Sequence, residues 1–408
     1  MIKRILSNEL AKGSFILLIL INVFNIINYL FQFSMARLLG PADFRIIAAM
    51  MSLIYIFSVP SEAIQTIISR YASKYNLSRE LGRMKNLLVK GLKKGFLLAL
   101  VSYLIFSVLA IFLAEFIRVD YWIIELTGIV IFGSFLMPVL RGVLQGQKKF
   151  ASLGGSLIIE AGIRLVLAVL LVVAGFGVFG AVWGIVIATV LGFLVIFVFM
   201  KRVIRSDLVS EKVEGIYRYS LPVFITILVI VLMYSLDVWF ANRFFSVEEA
   251  GVYAVVSTLG KMIFFGTVAI SKAMFPLASE GHEAKRNTKR ILKKALIIIV
   301  GISLVAIFLF LVFPKLIIGI LFGEDYISGY SILVYIGIGF SLLSITNLVL
   351  MYGLSTNKVN LNSLILFLFL LIQILLFLLF HGNLFEFSIA FLSSNILMLI
   401  GSLVITWK

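Results

Sequence analysis

Residues 31–75 read FQFSMARLLGPADFRIIAAMMSLIYIFSVPSEAIQTIISRYASKY, which joins two apolar segments through a short polar turn. One apolar segment ends in the turn RLLGPADFR, and a second apolar segment follows it directly. A similar segment occurs in the second half of the chain, where residues 242–253 read NRFFSVEEAGVY. A constant offset pairs Arg37 with Arg243 and continues through the apolar segment that follows. This offset predicts an internal duplication.

The composition is that of a membrane protein. Hydrophobic residues make up 62% of the 408 residues, and charged residues make up only 13%. A soluble domain has roughly 45–50% apolar and about 25% charged residues. The first apolar run, at 13–35, is too long for a signal-peptide core, so we interpret it as a retained span. The chain has no cysteine and two histidines, and neither a metal nor another cofactor is expected.

Runs of about 20 apolar residues are long enough to cross a bilayer as helices. Such runs are predicted at 13–36, 44–69, 91–114, 121–141, 153–175, 178–200, 219–241, 251–275, 292–313, 328–352, 360–380 and 385–406. We therefore expect an all-α polytopic membrane protein with twelve transmembrane helices, in two six-helix bundles related by a parallel internal repeat. The predicted parts are an N-terminal bundle at 1–200, a cytoplasmic connection at 201–218 and a C-terminal bundle at 219–408.

Most of the 35 lysines and arginines fall in alternate connections, on one side of the membrane. The positive-inside rule assigns this side to the cytoplasm. Both termini are therefore predicted to be cytoplasmic, and the protein is expected in the cell membrane. The net charge of +16 is interpreted as a topology signal and a contact for anionic lipids, and no nucleic-acid partner is expected.

The first two predicted spans carry polar stripes. Spacings of three and four residues place on one helical face Asn22, Asn25, Tyr29 and Gln32. The stripe of the second span consists of Tyr55, Ser58, Glu62, Gln65 and Ser69. Because lipid penalises such faces, they are expected to face protein or water. Interhelical hydrogen bonding and the wall of a hydrated cavity both explain them, and the carboxylate of Glu62 favours the cavity.

Lys261 is the strongest single candidate for a functional residue. It is expected about 15 Å deep in the eighth span, where its ammonium group cannot easily reach either interface. An ionisable residue at such a depth is a functional candidate by default. The alternative is a structural ion pair with Asp237 or Glu62. The repeat offset pairs Lys261 with Tyr55, on the face that matches the second polar stripe.

Three further charged positions have two interpretations each. Asp237, towards the outer end of the seventh span, is either a cation-coupling carboxylate or a structural partner of Arg243 or Lys261. Arg37 and Arg243 lie at outer helix ends, where simple contact with the interface explains them. Their equivalent places in the repeat favour instead a paired role, such as holding a phosphate or closing an outer gate.

Arg164 lies about midway through the fifth span, one helical turn after Glu160. Glu followed by Arg at this spacing is a favourable helix pair. We interpret Arg164 as structural. A charge that is paired within the protein costs less free energy to insert into the membrane, so no bound substrate is needed to explain it.

The sequence contains no recognisable catalytic set. It has no Gly-rich phosphate loop beside Lys-Ser/Thr, no HExxH and no GxSxG. An ATPase and a glycosyltransferase with a soluble catalytic domain are therefore disfavoured. No catalytic or metal-binding residue is assigned, and the chain is not expected to be an enzyme.

Several short motifs follow one another along the chain: ARLLGPADF at 36–44, RYA at 70–72, LQGQ at 144–147, GFGVFGAVWG at 175–184, Asp237 with AGVY at 250–253, and FP at 275–276. In this order they resemble the polysaccharide biosynthesis, or oligosaccharide flippase (Wzx-like), family of the MOP superfamily, whose relatives include lipid II flippases and MATE multidrug exporters. The resemblance covers nearly the whole chain. The chain departs from the family pattern at two places. Arg45 occupies a position where a small residue is usual, and the sequence ends at Lys408, whereas members of the family often carry two further helices.

The resemblance implies two six-helix bundles around a central cavity, which the first, second, seventh and eighth spans line. Rocking of the bundles would give alternating access. The implied substrate is an oligosaccharide linked to polyprenyl phosphate or pyrophosphate, which moves from the cytoplasmic to the outer leaflet in surface polysaccharide biosynthesis. Other expected partners are membrane lipids, Na⁺ or H⁺, and other membrane proteins of polysaccharide assembly.

A charged sugar headgroup needs a hydrated path with hydrogen-bonding groups and cations that neutralise phosphate. We expect Lys261 and Arg37 to bind the phosphate, and the polar stripes to bind sugar hydroxyls. The predicted substrate-binding residues are Lys261, Arg37, Asn25, Tyr55, Glu62, Gln65 and Arg243. The predicted cation-coupling residues are Asp237 and Glu62.

Three other functions each account for part of the sequence. A MATE-like, cation-coupled exporter of organic cations is the nearest, but its cavity should be acidic, and a midspan lysine counts against it. A membrane polymerase or ligase of lipid-linked sugars usually carries a large external loop, and the predicted connections are short. An inert scaffold does not explain the repeat and the intramembrane polar stripes.

Overall fold

The computed structural model describes residues 9–210, 221–285, 287–356 and 364–407, and these are helical apart from short turns. No β-strand occurs within these ranges. In a bilayer, a helix satisfies every backbone hydrogen bond inside its own segment, which is why an apolar chain of this composition folds this way. The predicted all-α fold class is confirmed.

The helices of the first half are long and separated by short turns. They are α1 (Glu9–Phe57), α2 (Val59–Leu77), α3 (Leu81–Ile117), α4 (Tyr121–Gly128), α5 (Val130–Gly146), α6 (Phe150–Leu171), α7 (Gly177–Phe199) and the short α8 (Lys201–Ile204). A single π-helical turn, Val172–Phe176, joins α6 to α7.

The second half is also made of helices separated by short turns. Its helices are α9 (Leu221–Phe244), α10 (Val247–Glu283), α11 (Lys289–Val312), α12 (Pro314–Leu321), α13 (Tyr330–Ser355), α14 (Leu366–Leu379) and α15 (Leu384–Trp407). A 3₁₀ turn at Glu324–Gly329 precedes α13. The capping box of Ser246 and Glu249 satisfies the first backbone N–H groups of α10.

The helices account for the twelve predicted spans. Within the described residues, nine helical segments are long and apolar enough to cross a membrane. Two of them, Ile19–Leu77 and Phe150–Phe199, are long enough to cross twice. The shorter apolar helix Leu366–Leu379 supplies the remaining span. The chain is thus a multi-pass membrane protein.

The outward faces of α3 and α11 support the membrane assignment. Both helices expose large apolar side chains, including Leu104, Phe112, Leu304 and Phe308. Contiguous apolar surface of this kind is unfavourable in water and favourable in hydrocarbon.

The chain forms two compact units. Unit 1 comprises the described residues of Met1–Leu39 and Leu53–Tyr219, and unit 2 those of Gly40–Ser52 and Ser220–Lys408. The division into bundles at 1–200 and 219–408 stays a prediction. Of the predicted connection at 201–218, residues 211–218 lie outside the described part of the chain. The assignment of Gly40–Ser52 to unit 2 was not predicted.

The backbone of α1 breaks at Gly40, with φ 73° and ψ 177°. This conformation is open to glycine and strained for other residues. Pro41 follows, and its fixed φ suits the first position of a new helical segment. The Gly-Pro pair therefore ends the first span and starts the second.

Unit 2 holds its Gly40–Ser52 segment through backbone groups. The indole N–H of Trp239 donates to the carbonyl oxygen of Ala49 at 3.2 Å, and the Asn242 amide donates to that of Arg45 at 3.3 Å. Gly251 lies directly against the backbone of Pro41, where a Cβ atom would clash with the Pro41 carbonyl oxygen. The segment at 242–253, which resembles the turn of the first half in sequence, thus contacts that turn.

Candidate functional site

In unit 1, the structure brings together residues from both predicted polar stripes. The Tyr55 hydroxyl lies within hydrogen-bond reach of the Gln32 side chain, and Tyr29 lies near Tyr55. Arg164 of α6 joins them, because its positive charge acts on Tyr55. The Arg164 guanidinium also lies over the Phe31 ring, 5.6 Å from the ring centre. Four polar side chains from three predicted spans therefore share one region.

Several polar atoms of this region have no hydrogen-bond partner within the described chain. They are Asn28 Oδ1, Gln32 Oε1 and Arg164 Nε, and all three are buried. Buried polar atoms normally find partners, and each one left without costs free energy. A closed interhelical network would have satisfied them. These atoms therefore favour a site that receives water or a polar ligand.

Positively charged side chains outnumber negatively charged ones beside this region. Arg141 of α5 donates a hydrogen bond to the Glu160 carboxylate of α6 and forms an ion pair with it. Arg164 is also attracted by Glu160 and repelled by Arg141. The Arg141 and Glu160 side chains are only 15% and 18% exposed. Two guanidinium groups thus share one carboxylate, which leaves a net positive charge in a span region.

The other predicted residues of unit 1 lie in varied surroundings. Gln65 donates a hydrogen bond to the Gln145 side chain at 2.8 Å, which joins α2 to α5. Glu62 is exposed in the first turn of α2, where a carboxylate suits the helix dipole. Asn25 is half-buried, and Arg37 is exposed near the end of the first span.

In unit 2, Asp237 of α9 is fully buried and faces one stripe of α10. Its Oδ2 accepts hydrogen bonds from the Ser257 hydroxyl and from the Tyr253 hydroxyl, the latter at 3.5 Å. Its Oδ1 lies 3.4 Å from the Lys261 Nζ. The spacing of four residues places the three donors on one helical face, one turn apart. Asp237 is therefore a carboxylate whose charge is compensated within the unit.

Lys261 forms the ion pair that was considered as its structural alternative. The residue is 5% exposed, and its ammonium group lies 5.9 Å from the centre of the Phe340 ring of α13. Arg243 is exposed in the last turn of α9, where a cation suits the helix dipole. The substrate-binding role of Lys261 and Arg243 and the coupling role of Asp237 stay predictions.

Sequence reasoning interpreted Arg164 as structural, and it did not predict the position of Arg164 near Tyr55 and over the Phe31 ring. Its spacing from Glu160 predicts a self-contained helix pair, and the two charges do attract. The direct partner of Glu160, however, is Arg141 from the preceding helix. The usable signal was the second arginine, Arg141, at the end of the fourth predicted span.

Comparisons with known proteins give one family and one fold. A family model described as "Polysaccharide biosynthesis protein" matches residues 34–330. No curated protein sequence matches the chain. An inward-facing multidrug resistance MATE transporter of the MOP superfamily superimposes with TM-score 0.73 at 16% identity, covering 94% of this chain and 95% of that one. A eukaryotic MATE transporter superimposes with TM-score 0.70 at 15% identity, covering 98% and 96%.

A third structure is a MOP superfamily transporter from Pyrococcus furiosus, described by a reverse polarity of its binding pocket that suggests a different function. Its TM-score is 0.59 at 16% identity, covering 97% of this chain and 94% of that one. At these identities the structural matches show the fold. Together with the family match, they confirm the MOP resemblance that the sequence motifs indicated.

Proposed function

Because the chain belongs to the polysaccharide biosynthesis protein family, we propose that it flips a lipid-linked oligosaccharide from the cytoplasmic to the outer leaflet by alternating access. The carrier lipid is a polyprenyl phosphate or pyrophosphate, and the product serves surface polysaccharide biosynthesis. In this proposal the protein lies in the cell membrane with both termini in the cytoplasm, as its basic connections indicate.

The observation that carries the proposal is the arrangement of Arg141, Glu160 and Arg164 in unit 1. Two guanidinium groups and one carboxylate leave a net positive charge. An excess cation inside a membrane protein is unfavourable unless an anion meets it. A phosphate or pyrophosphate group supplies that anion, whereas an organic cation would be repelled.

The neighbouring polar groups suit a sugar. Tyr55 lies near Arg164 and within hydrogen-bond reach of Gln32, and the side-chain oxygen Oε1 of Gln32 has no partner within the described residues. Hydroxyl and amide groups of this kind both donate and accept, as sugar hydroxyls do. In the proposed mechanism Arg164 holds the phosphate with its planar fork, and the stripe residues hold the first sugars.

The buried pair in unit 2 has a second part in the proposal. Lys261 is neutralised by Asp237, so it binds a phosphate only by exchanging one anion for another. Uptake of H⁺ or Na⁺ by Asp237 would release Lys261 and make this exchange favourable. Tyr253 and Ser257 would continue to hold the Asp237 side chain in place. This links the predicted coupling residue to the predicted phosphate-binding residue.

The alternative is a MATE-like exporter of organic cations, coupled to a cation gradient. The fold supports it, since the MATE structures superimpose over nearly the whole chain. The fully buried Asp237 also supports it, because such exporters need an intramembrane anion. The Lys261 ammonium already occupies that carboxylate, and this favours the flippase.

The test uses liposomes that hold the purified protein and a fluorescent polyprenyl-pyrophosphate oligosaccharide. We expect the wild type to move the lipid between leaflets and Arg164→Gln to lower the rate about tenfold or more. Arg290→Gln, an exposed arginine of α11, serves as the matched control and should retain the wild-type rate. A wild type that moves no lipid-linked sugar but expels organic cations along a Na⁺ or H⁺ gradient would establish the exporter instead.

A further inference from the structure

The carboxylate of Glu125 lies inside a predicted span and has no part in the proposed function. Glu125 is the fifth residue of α4, which begins at Tyr121. Its Oε1 lies 2.7 Å from the Ser107 hydroxyl of α3. Its Oε2 is buried and has no hydrogen-bond partner within the described chain. One oxygen of this carboxylate is therefore left unsatisfied, away from water.

The Ser107 hydroxyl lies between two acceptors. Besides Oε1 of Glu125, it lies 3.0 Å from the carbonyl oxygen of Tyr103, one turn earlier in α3. A serine hydroxyl has one hydrogen to donate and two lone pairs that accept. When that hydrogen points to the Tyr103 carbonyl, the lone pairs of Ser107 face Oε1 of the carboxylate. Two electron-rich oxygens at this distance repel unless a positive charge lies beside them.

Aromatic side chains hold this arrangement in place. The Tyr103 ring packs against Gly128, three residues after Glu125 on α4, and its centre lies 5.6 Å from the centre of the Phe132 ring of α5. This position brings the Tyr103 hydroxyl near the Glu125 carboxylate. Phe106 also packs against Gly128. Oxygen atoms of three side chains therefore face one another between α3 and α4.

No cationic side chain forms an ion pair with Glu125 within the described chain. The helices that pack against α4 are α3 and α7. No charged or titratable residue occurs in α7, and Tyr103 is the only one in α3 between Lys94 and Glu115. An ionised carboxylate without a partner is unfavourable inside a membrane protein. Glu125 therefore calls for a cation from outside the chain.

The two carboxylate oxygens indicate which cation. A proton binds one oxygen at a time, and on Oε1 it would leave Oε2 of Glu125 without a partner. A metal cation that contacts both oxygens satisfies them together. Because one carboxylate supplies one negative charge, a monovalent cation gives a neutral site. A divalent cation would leave a positive charge in apolar surroundings, which is unfavourable.

We propose that Glu125, Ser107 and Tyr103 form a binding site for a monovalent alkali cation between α3 and α4. Glu125 binds the cation with both carboxylate oxygens, and the two hydroxyl groups bind it with their lone pairs. The Ser107 hydrogen turns to the carbonyl oxygen of Tyr103. Together these oxygens replace part of the hydration shell of the ion. The site lies in unit 1 and does not rest on the flippase proposal, which assigns ion uptake to Asp237 in unit 2.

The test measures the binding of radioactive Na⁺ and Rb⁺ to the purified full-length chain in detergent, with choline chloride keeping the ionic strength constant. We expect Glu125→Gln, which keeps the shape of the side chain and removes its charge, to weaken binding at least about tenfold. Ser107→Ala removes one ligand and should weaken binding several-fold. The control Glu115→Gln removes the same charge from an exposed position of α3 and should stay within about twofold of the wild type.

A further variant separates this site from the ion uptake in the proposed function. Asp237→Asn removes the buried carboxylate of unit 2, and the binding that depends on Glu125 should persist in it. A wild type that binds neither ion overturns the proposal, and so do equal affinities of the wild type, Glu125→Gln and Ser107→Ala. If Glu125→Gln does not fold, Ser107→Ala decides alone, because it leaves the carboxylate in place and removes only one ligand.

Discussion

The ammonium group of Lys261 lies 3.4 Å from Oδ1 of Asp237, and the two residues are 5% and 0% exposed. The pair joins α10 to α9 inside unit 2, and each charge compensates the other away from water. Such a pair adds little stability over an apolar pair of the same shape, yet the loss of one partner is costly. The stability of the variants therefore shows whether the pair is buried in the native protein.

The first prediction concerns this pair. Lys261→Ala should lower the free energy of unfolding by about 3–5 kcal/mol, because Asp237 keeps a buried charge without its partner. Lys261→Ala/Asp237→Asn should recover much of this loss, since the uncompensated carboxylate is then absent. Thermal unfolding in detergent measures both. The exposed Lys289 is the control, and Lys289→Ala should stay within about 0.5 kcal/mol of the wild type.

The second prediction separates charge from geometry at Arg164. Arg164→Lys keeps the positive charge but lacks the planar fork that binds two phosphate oxygens. Its rate in the liposome assay should therefore fall between those of the wild type and Arg164→Gln. Equal rates for Arg164→Lys and Arg164→Gln would mean that the guanidinium geometry matters and that charge alone does not. Wild-type rates for both would exclude Arg164 from the path.

The third prediction concerns the hydrogen bond of 2.8 Å between Gln65 and Gln145. Each single change to leucine leaves one partly buried amide without its partner. The double variant removes both amides and should lose less stability than the sum of the single changes. The coupling free energy should be about 0.6 kcal/mol, as is typical between membrane helices. Additive losses would show that the two side chains do not interact.

The fourth prediction concerns the break in α1. Gly40→Ala should cost about 1–3 kcal/mol, because its backbone conformation is strained for any residue with a Cβ atom. Crowding is not the cause, since no atom lies within 4 Å of a Cβ built there. Gly301→Ala is the matched control: it lies within α11, also in open space, and should be neutral or slightly stabilising. A comparable loss for both variants would argue against strain.

Much of the fold could be predicted from local features. The lengths of the apolar runs predict the spans, because the bilayer sets the number of residues that a helix needs to cross it. The Gly40-Pro41 pair predicts the break between the first two spans, since glycine permits the conformation and proline starts a helix. Even the pairing of Lys261 with Asp237 was among the alternatives, because a buried ammonium group needs an anion nearby.

Contacts between helices could not be predicted in the same way. Spacing along one helix suggested Glu160 as the partner of Arg164, but Arg141 on another helix forms the ion pair with Glu160. The position of Arg164 over the Phe31 ring and near Tyr55 brings together residues that are far apart in sequence. Such contacts depend on how helices pack side by side, and no periodicity within one helix records this.

The helices and their number could be read from the sequence alone. These features follow from local hydrogen bonding and from the cost of placing polar groups in hydrocarbon, and both act within each segment. Only the tertiary structure decided that Gly40–Ser52 belongs to unit 2, and that Arg164 and Asp237 meet the partners they do. Packing between apolar helices depends on shape and on a few buried polar contacts, because lipid and side chains are equally apolar.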